Sequence, residues 1–313
     1  MFAQPFDPPK ALLQGEPSRI AEDVGRSNEN TGRAGFAVSK TGTLITRQNV
    51  GLGVRRFVWF DRSGKQLGVV GDATSYGPYF DLSPDEKQLA VGKIDPTTNN
   101  GDIWLIDLTR GVMTRFTSDP APDTDVAWSP DGSRIAFSSD RKGKPDIFEK
   151  KSTGIGPESP LLAESTESWV KIWSKDGRYI AYENRSQIRI LPLFGGRKSI
   201  PFVESPYEKH QPHFSFDTKW LAYSSAESGA FQIYVASFPA GDQKRLISTN
   251  GGVAPGWRKG GKELYYLSLD GKVMAVDLTL GPRVESGNPR MLFDTGIIAP
   301  SAITEHYAVT ADG

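Results

Sequence analysis

The residues most able to do chemistry in this chain are its three histidines, and two of them, His210 and His213, sit close together in EKHQPHFSF. Paired imidazoles could ligate a metal, but a zinc site needs at least three protein ligands and no HExxH motif accompanies them. They read as rim or packing histidines, as does the isolated His306. The aspartates Asp85, Asp131 and Asp176 each follow a serine by two positions (Ser83, Ser129, Ser174) and could serve as acids, bases or calcium ligands. The EF-hand pattern is not matched, and an aspartate at that offset bonds its own backbone, so turn chemistry explains the spacing. There is no GxSxG elbow. With no cysteine there is no thiol nucleophile, disulfide framework or Cys-ligated zinc. No catalytic residue, cofactor or metal site is assigned.

The elements that carry these residues are more informative. In VAWSPDGSRIAFSS, residues 126–139, a short apolar strand ending at Trp128 enters Ser129-Pro130-Asp131-Gly132 and leaves through Ile135, Ala136 and Phe137. Proline presets φ, aspartate caps the turn locally, and glycine takes the left-handed conformation. The turn recurs as SKTG at Ser39, SPDE at Ser83-Pro84-Asp85, and SKDG at Ser174 with Asp176 and Gly177. Weaker copies follow at Ser215, Arg258 and Thr310, giving gaps of 44, 46, 45, 41, 43 and 52 residues. A period near 40–45 residues fits four-stranded propeller blades or helical repeats. The segments choose the blades: LIT, LAV, IAF, IAY, LAY and LYY follow the turns, then a third apolar run such as Ile103-Trp104-Leu105-Ile106, then a short closing strand such as MTRFTS. A sheet that is apolar on both faces must stack on neighbours.

The expected fold is therefore an all-β propeller forming a single domain, 1–313. Six complete blades span 35–294 and start near residues 35, 79, 125, 170, 212 and 255. Residues 1–23 read as the last two strands of a terminal blade, and 305–313 as the first strand of the blade that closes the ring. Seven blades, the last shared between the termini, are favoured over six. Trp128, Trp173 and Trp257, at first-strand ends, are expected in the core between blades. First strands enter at the mouth of a central tunnel, where loops of such scaffolds bind peptides or proteins. Tyr76, Asp125, Trp169, His210 and Val253 are placed there, a mixed polar and aromatic set suited to a binding surface.

Bulk properties bound the partners. Thirty-seven basic and 37 acidic residues cancel, and clusters such as Arg55-Arg56 and Arg141-Lys142-Gly143-Lys144 are too small for electrostatic nucleic-acid binding. No apolar run reaches the length of a membrane-spanning helix. MFAQPFDPPK lacks the basic head and apolar stretch of a signal peptide, so any export is expected to be directed by sequence outside this chain.

FVWFDRSGKQLGVVG, LSPDEKQLAV with DIWLIDL, STNGGVAPGWRKGGKELYYLSLDGKVMAVDL and PRMLFDTG resemble the TolB-type, WD40-like repeats of the PD40 class. They are similar to one group in particular, the C-terminal propellers of membrane-anchored bacterial serine/threonine protein kinases abundant in acidobacteria. The resemblance covers nearly the whole chain and implies a fragment or short reading frame of such a protein. The kinase module itself is absent, with no VAIK-like strand, HRD loop or DFG, so kinase activity does not carry over. What the resemblance implies is a non-catalytic sensor or interaction module of a larger envelope or signalling protein. It would bind a protein or peptide without a cofactor, on the periplasmic side. The competing expectations are a propeller hydrolase or lyase acting on a peptide or sugar at the tunnel mouth, and an incomplete fragment without independent function.

Overall fold

The computed structural model describes residues 54–162, 164, 166–297 and 300–310, residues 15 and 16, and the backbone of six short strands nearer the N-terminus. The chain divides into two compact units, Met1–Val54 and Arg55–Gly313. In the first, Phe2–Ala3 pairs with Ser18–Arg19, Phe6–Asp7 with Leu12–Leu13, and Phe36–Val38 with Leu44–Thr46, all antiparallel. The boundary falls inside the blade expected over 35–71, whose last two strands, Arg55–Phe60 and Gln66–Thr74, pair in the second unit. The turns expected at Ser39 and over 310–313 lie outside the described residues, apart from Thr310.

Five antiparallel sheets follow. Tyr76–Leu82, Gln88–Ile94, Gly101–Asp107 and Met113–Arg115 make the first, in chain order. Asp123–Trp128, Arg134–Ser139, Asp146–Lys151 and Ser159–Leu162 make the second. Trp169–Trp173, Tyr179–Asn184, Gln187–Pro192 and Ile200–Pro201 make the third. Lys209–Phe214, Trp220–Ser225, Gln232–Ser237 and Lys244–Leu246 make the fourth. In the fifth, Val253–Trp257, Glu263–Leu267 and Lys272–Leu280 are followed by Arg290–Asp294, while Val284–Ser286 pairs with the far end of Lys272–Leu280.

The recurring apolar–alanine–apolar motif sets how the sheets stack. Ile135 and Phe137 join a cluster with Ala90 and Ile103 of the sheet before, while Ala136 joins Val170 and Ile180 of the sheet after. Leu221 and Tyr223 likewise face the third sheet, and Ala222 faces the fifth. Strand alternation delivers one large and one small face, and the small face lets the next sheet approach. Each large side chain so buried contributes about 1.5–3 kcal/mol. Trp128, Trp173 and Trp257 are buried in these inter-sheet clusters, as the sequence leads one to expect.

The turns close in one way. Ser129 Oγ donates to Asp131 Oδ1 at 2.6 Å and accepts from the Arg134 amide at 2.9 Å, while the Gly132 amide reaches the Ser129 carbonyl at 2.9 Å. Ser83–Asp85, Ser174–Asp176 and Ser215–Asp217 repeat it. Hydrogen bonds from Ser129 and Ser133 pull the Asp131 carboxyl down to about 2, so this aspartate is an ionised turn cap. Gly132 and Gly177 take φ of 70° and 74°, and at the equivalent positions Glu86 and Thr218 hold 59° and 57°.

Candidate functional site

The first strand of each sheet lies against the first strand of the next, and every one of the five carries a break in register with its partner. A bulge leaves a residue unpaired and re-aims its side chain. Asp125, Gln211 and Ala254 are such residues, each with positive φ (38°, 53° and 52°).

At these bulges a charge network is buried. Lys171 Nζ is hydrogen-bonded to Asp125 Oδ1. It also lies 3.9 Å from Glu183 Oε2 and 3.8 Å from the centre of the Tyr79 ring. His210 Nδ1 meets Glu183 Oε2 at 2.9 Å, and the Gln211 amide donates to Glu183 Oε1 at 2.8 Å. The His210 Nε2 is buried without a hydrogen-bond partner, 3.8 Å from Glu208 Oε2. Side chains of Lys171, Asp125, Glu183 and His210 are between 2% and 8% exposed, so water screens little of this. Burial pushes the Asp125 carboxyl up despite Lys171. Burial also acts to raise Glu183, but Lys171 and the bond to His210 outweigh it and hold that carboxyl below its usual value. Burial disfavours the Lys171 cation, yet Asp125 and Glu183 together raise its pKa. One cation between two carboxylates, an aromatic face and an imidazole is a brace that ties four sheets together.

Polar latches close the seams between consecutive sheets. Asp81 Oδ2 accepts the Trp128 amide at 2.8 Å, and Ser138 Oγ the Val170 amide at 2.9 Å. Glu183 takes the Gln211 amide at 2.8 Å, and Gln211 Oε1 the Ala254 amide at 2.7 Å. Each joins a side-chain acceptor on one sheet to a backbone donor on the first strand of the next. Burial pushes the Asp81 carboxyl up to about 6, against the Trp128 amide and Lys175.

Over this brace lies residues 301–310. The sequence predicts a strand from 305 onward; no strand is assigned there, and the segment is a turn followed by irregular chain. Its backbone is held by the first strands. Tyr79 Oη donates to the Ile303 carbonyl at 2.6 Å, Gln211 Nε2 to the Thr304 carbonyl at 2.8 Å, and the Glu305 amide to the Pro78 carbonyl at 2.9 Å. Tyr307 Oη bonds the Ala254 carbonyl at 2.8 Å, and His213 Nε2 stands 3.3 Å from Glu305 Oε1.

Of the five residues the sequence places at the tunnel mouth, the structure joins Asp125 and His210 through Lys171 and Glu183. Tyr76 is instead buried against Phe57, with its hydroxyl on the Asp72 carbonyl at 3.0 Å. Val253 is buried in a cluster with Leu267 and Ala302. Trp169 is half-buried and pairs with Glu183 across the strands, outside the network's bonds. Lys171, Glu183, Tyr79 and Gln211 escaped the sequence reading. A signal existed for two of them. Lys171 interrupts the apolar first strand WVKIW, and Glu183 in IAYEN stands where IAFSS and LAYSS carry Ser138 and Ser224. Among the described residues no group of three or more His, Asp and Glu is arranged to hold a metal ion. No helix of the described residues is long and apolar enough to cross a membrane.

Residues 69–190 match the family model described as TolB beta propeller domain, PD40. Tricorn protease homolog 1 of Streptomyces coelicolor is 33% identical over 124 residues, 37% of this chain and 11% of the relative. The Tol-Pal system protein TolB of Bordetella pertussis is 29% identical over 124 residues, 39% of this chain and 28% of the relative. The chain thus spans only a small part of the length of either. The structure described as a putative TolB from Agrobacterium tumefaciens superposes with a TM-score of 0.61 at 21% identity, covering 75% of this chain and 87% of that one. At that identity the likeness speaks for the fold.

Proposed function

From the TolB-type β-propeller domain that this chain carries, we propose a non-catalytic module that binds a protein or peptide, the interaction portion of a larger envelope or signalling protein on the periplasmic side. The ring is read as seven blades, the last shared between the chain's two ends. The carrying observation is the hold on residues 301–310. The first strands of the first and fourth sheets grip a polypeptide through its carbonyls and one amide, and the Ala254 carbonyl of the fifth accepts its Tyr307 hydroxyl. Main-chain hydrogen bonds of this kind supply affinity in many peptide-recognition modes, with side-chain pockets supplying choice. The charge network beneath is engaged within itself, which suits a rigid floor better than a reacting centre.

The test is to remove residues 301–313, check by thermal melting that the domain still folds cooperatively, and titrate in a labelled peptide of residues 301–310. Saturable binding that Gln211→Ala weakens supports the reading. A folded truncated domain that ignores the peptide sinks it. One observation favours the enzyme reading: Glu183 orients His210 while its Nε2 is left without a partner, a carboxylate–imidazole pair able to act as general base. Turnover of peptide or glycoside substrates by the truncated domain, lost in His210→Ala, would establish that instead.

A further inference from the structure

A second polar site, independent of the reading above, is assembled around Glu263. This carboxylate is 4% exposed and receives three guanidinium groups from distant parts of the chain. Arg62, from the turn after Arg55–Phe60, reaches Oε1 at 2.5 Å, and Arg290 bonds the same oxygen. Arg258 lies 3.4 Å from Oε2, which also accepts the Tyr265 hydroxyl at 2.9 Å. Arg290 extends its other nitrogen to Asp277 Oδ2 at 2.9 Å. Together with Lys259 and Lys262 these residues line an open recess of about 560 Å³.

Charge decides what the recess can hold. Five cations face two carboxylates, Glu263 and Asp277, which leaves an excess of three positive charges within one concavity. Three of the cations come from one short run, Arg258-Lys259-Gly260-Gly261-Lys262, and the fold brings Arg62 and Arg290 to it. Converging like charges repel, at a cost that the two carboxylates offset only in part. The guanidinium fork has five donors; Arg62 directs donors to Glu263 and to the Tyr265 hydroxyl, and Arg290 to Glu263 and Asp277. Planar, bidentate donors around a net positive hollow are the arrangement that recognises phosphate. Glu263 acts as the anchor: burial works to raise its carboxyl, but Arg62 and Tyr265 hold it below its usual value, so it stays charged and keeps the arginines in place. The recess falls within the size range of small-molecule sites.

We propose that the recess formed by Arg62, Arg258, Lys259, Lys262 and Arg290 is a binding site for a phosphate-bearing ligand, with Glu263 as the residue that positions the arginines. The phosphate could belong to a soluble phosphate ester or to a lipid headgroup, and the experiment separates these sources.

The experiment titrates inorganic pyrophosphate into the 313-residue chain by calorimetry at low ionic strength, and in parallel sediments the chain with vesicles of phosphatidylcholine, with and without phosphatidic acid. Lys259 and Lys262 are exposed, so Lys259→Glu with Lys262→Glu leaves folding intact, which the melting temperature verifies. The expected result is saturable pyrophosphate binding at one site, weakened about tenfold or more by that double variant and by Arg258→Gln. It should be unaltered by Arg110→Gln with Lys151→Gln, which removes two exposed cations elsewhere. Vesicle binding that depends on phosphatidic acid and shows the same sensitivity identifies a headgroup; pyrophosphate binding without it identifies a soluble ligand. Absence of binding to either at millimolar pyrophosphate overturns the proposal, as does binding that the control variant weakens equally.

Discussion

Lys171 Nζ lies 3.8 Å from the centre of the Tyr79 ring, although the two residues come from the third and first sheets. The same ammonium bonds Asp125 of the second sheet and sits 3.9 Å from Glu183. Lys171→Met keeps the bulk of the side chain and strands two buried carboxylates, which should cost about 3–5 kcal/mol. Urea unfolding measures it. A variant within about 1 kcal/mol of the parent would mean that water reaches and screens the network.

Asp81 gives a pH signature. An unfolded aspartate releases its proton near 3.8, whereas here burial holds the proton until about 6. Between those values the folded state binds more protons, so this group's contribution to stability falls as pH rises and levels off above 6. The difference is on the order of 3 kcal/mol. Asp81→Asn retains an acceptor for the Trp128 amide and removes the charge. It should be more stable than the parent at pH 7–8 and equal to it near pH 3–4, judged by midpoint of unfolding at each pH. Parallel curves would contradict the assignment.

Thr218 carries a φ of 57° at a position where the second and third sheets use glycine, and its buried hydroxyl lacks a hydrogen-bond partner. A β-branched residue in the left-handed region is strained by roughly 1–2 kcal/mol, of which the greater unfolded freedom of glycine returns a part. Thr218→Gly should therefore raise stability by about 0.5–1 kcal/mol. Gly132→Ala, the converse change, should lower it by at least as much. Thermal melts of both variants decide, and a destabilised Thr218→Gly would refute the strain argument.

Gln211 joins two features in one side chain: its Oε1 takes the Ala254 amide and its Nε2 the Thr304 carbonyl. Gln211→Ala leaves buried backbone groups without partners, at about 1–3 kcal/mol each. Hydrogen exchange should show the Ala254 amide losing protection while the Val170 amide, latched to Ser138, keeps its own. Loss spread evenly over both amides would indicate general loosening instead.

The fold was legible because its determinants are local. A Ser-x-Asp-Gly turn between apolar strands writes its own hydrogen bonds into the sequence, and the apolar–Ala–apolar triplet states which face meets which neighbour. The site was less legible for a physical reason. Asp125, Lys171, Glu183 and His210 meet only because three sheets stack and bulges rotate particular side chains inward, and no spacing within a single repeat encodes that. Burial does not sort the first-strand positions either: Tyr76, Asp125, His210 and Val253 are all buried, and only contacts between sheets separate those in the network from those packed beside it. Lys171 and Glu183 were visible as departures from the repeat, where charge replaces an apolar residue or a serine. Comparing repeats position by position would have found them. The Arg62, Arg258 and Arg290 convergence had no such trace.

The latches between sheets also bear on how the domain would yield to force. Each seam has an apolar interface, which slides at modest load, and a side-chain-to-amide bond placed at the first strand, where a pull along the chain arrives. Under tension the five sheets would come apart one at a time, and the seams crossed by the Lys171–Asp125 and Glu183–His210 contacts, between the second, third and fourth sheets, would part last. A chain in tension would then keep its charged centre assembled after its flanks had been drawn out.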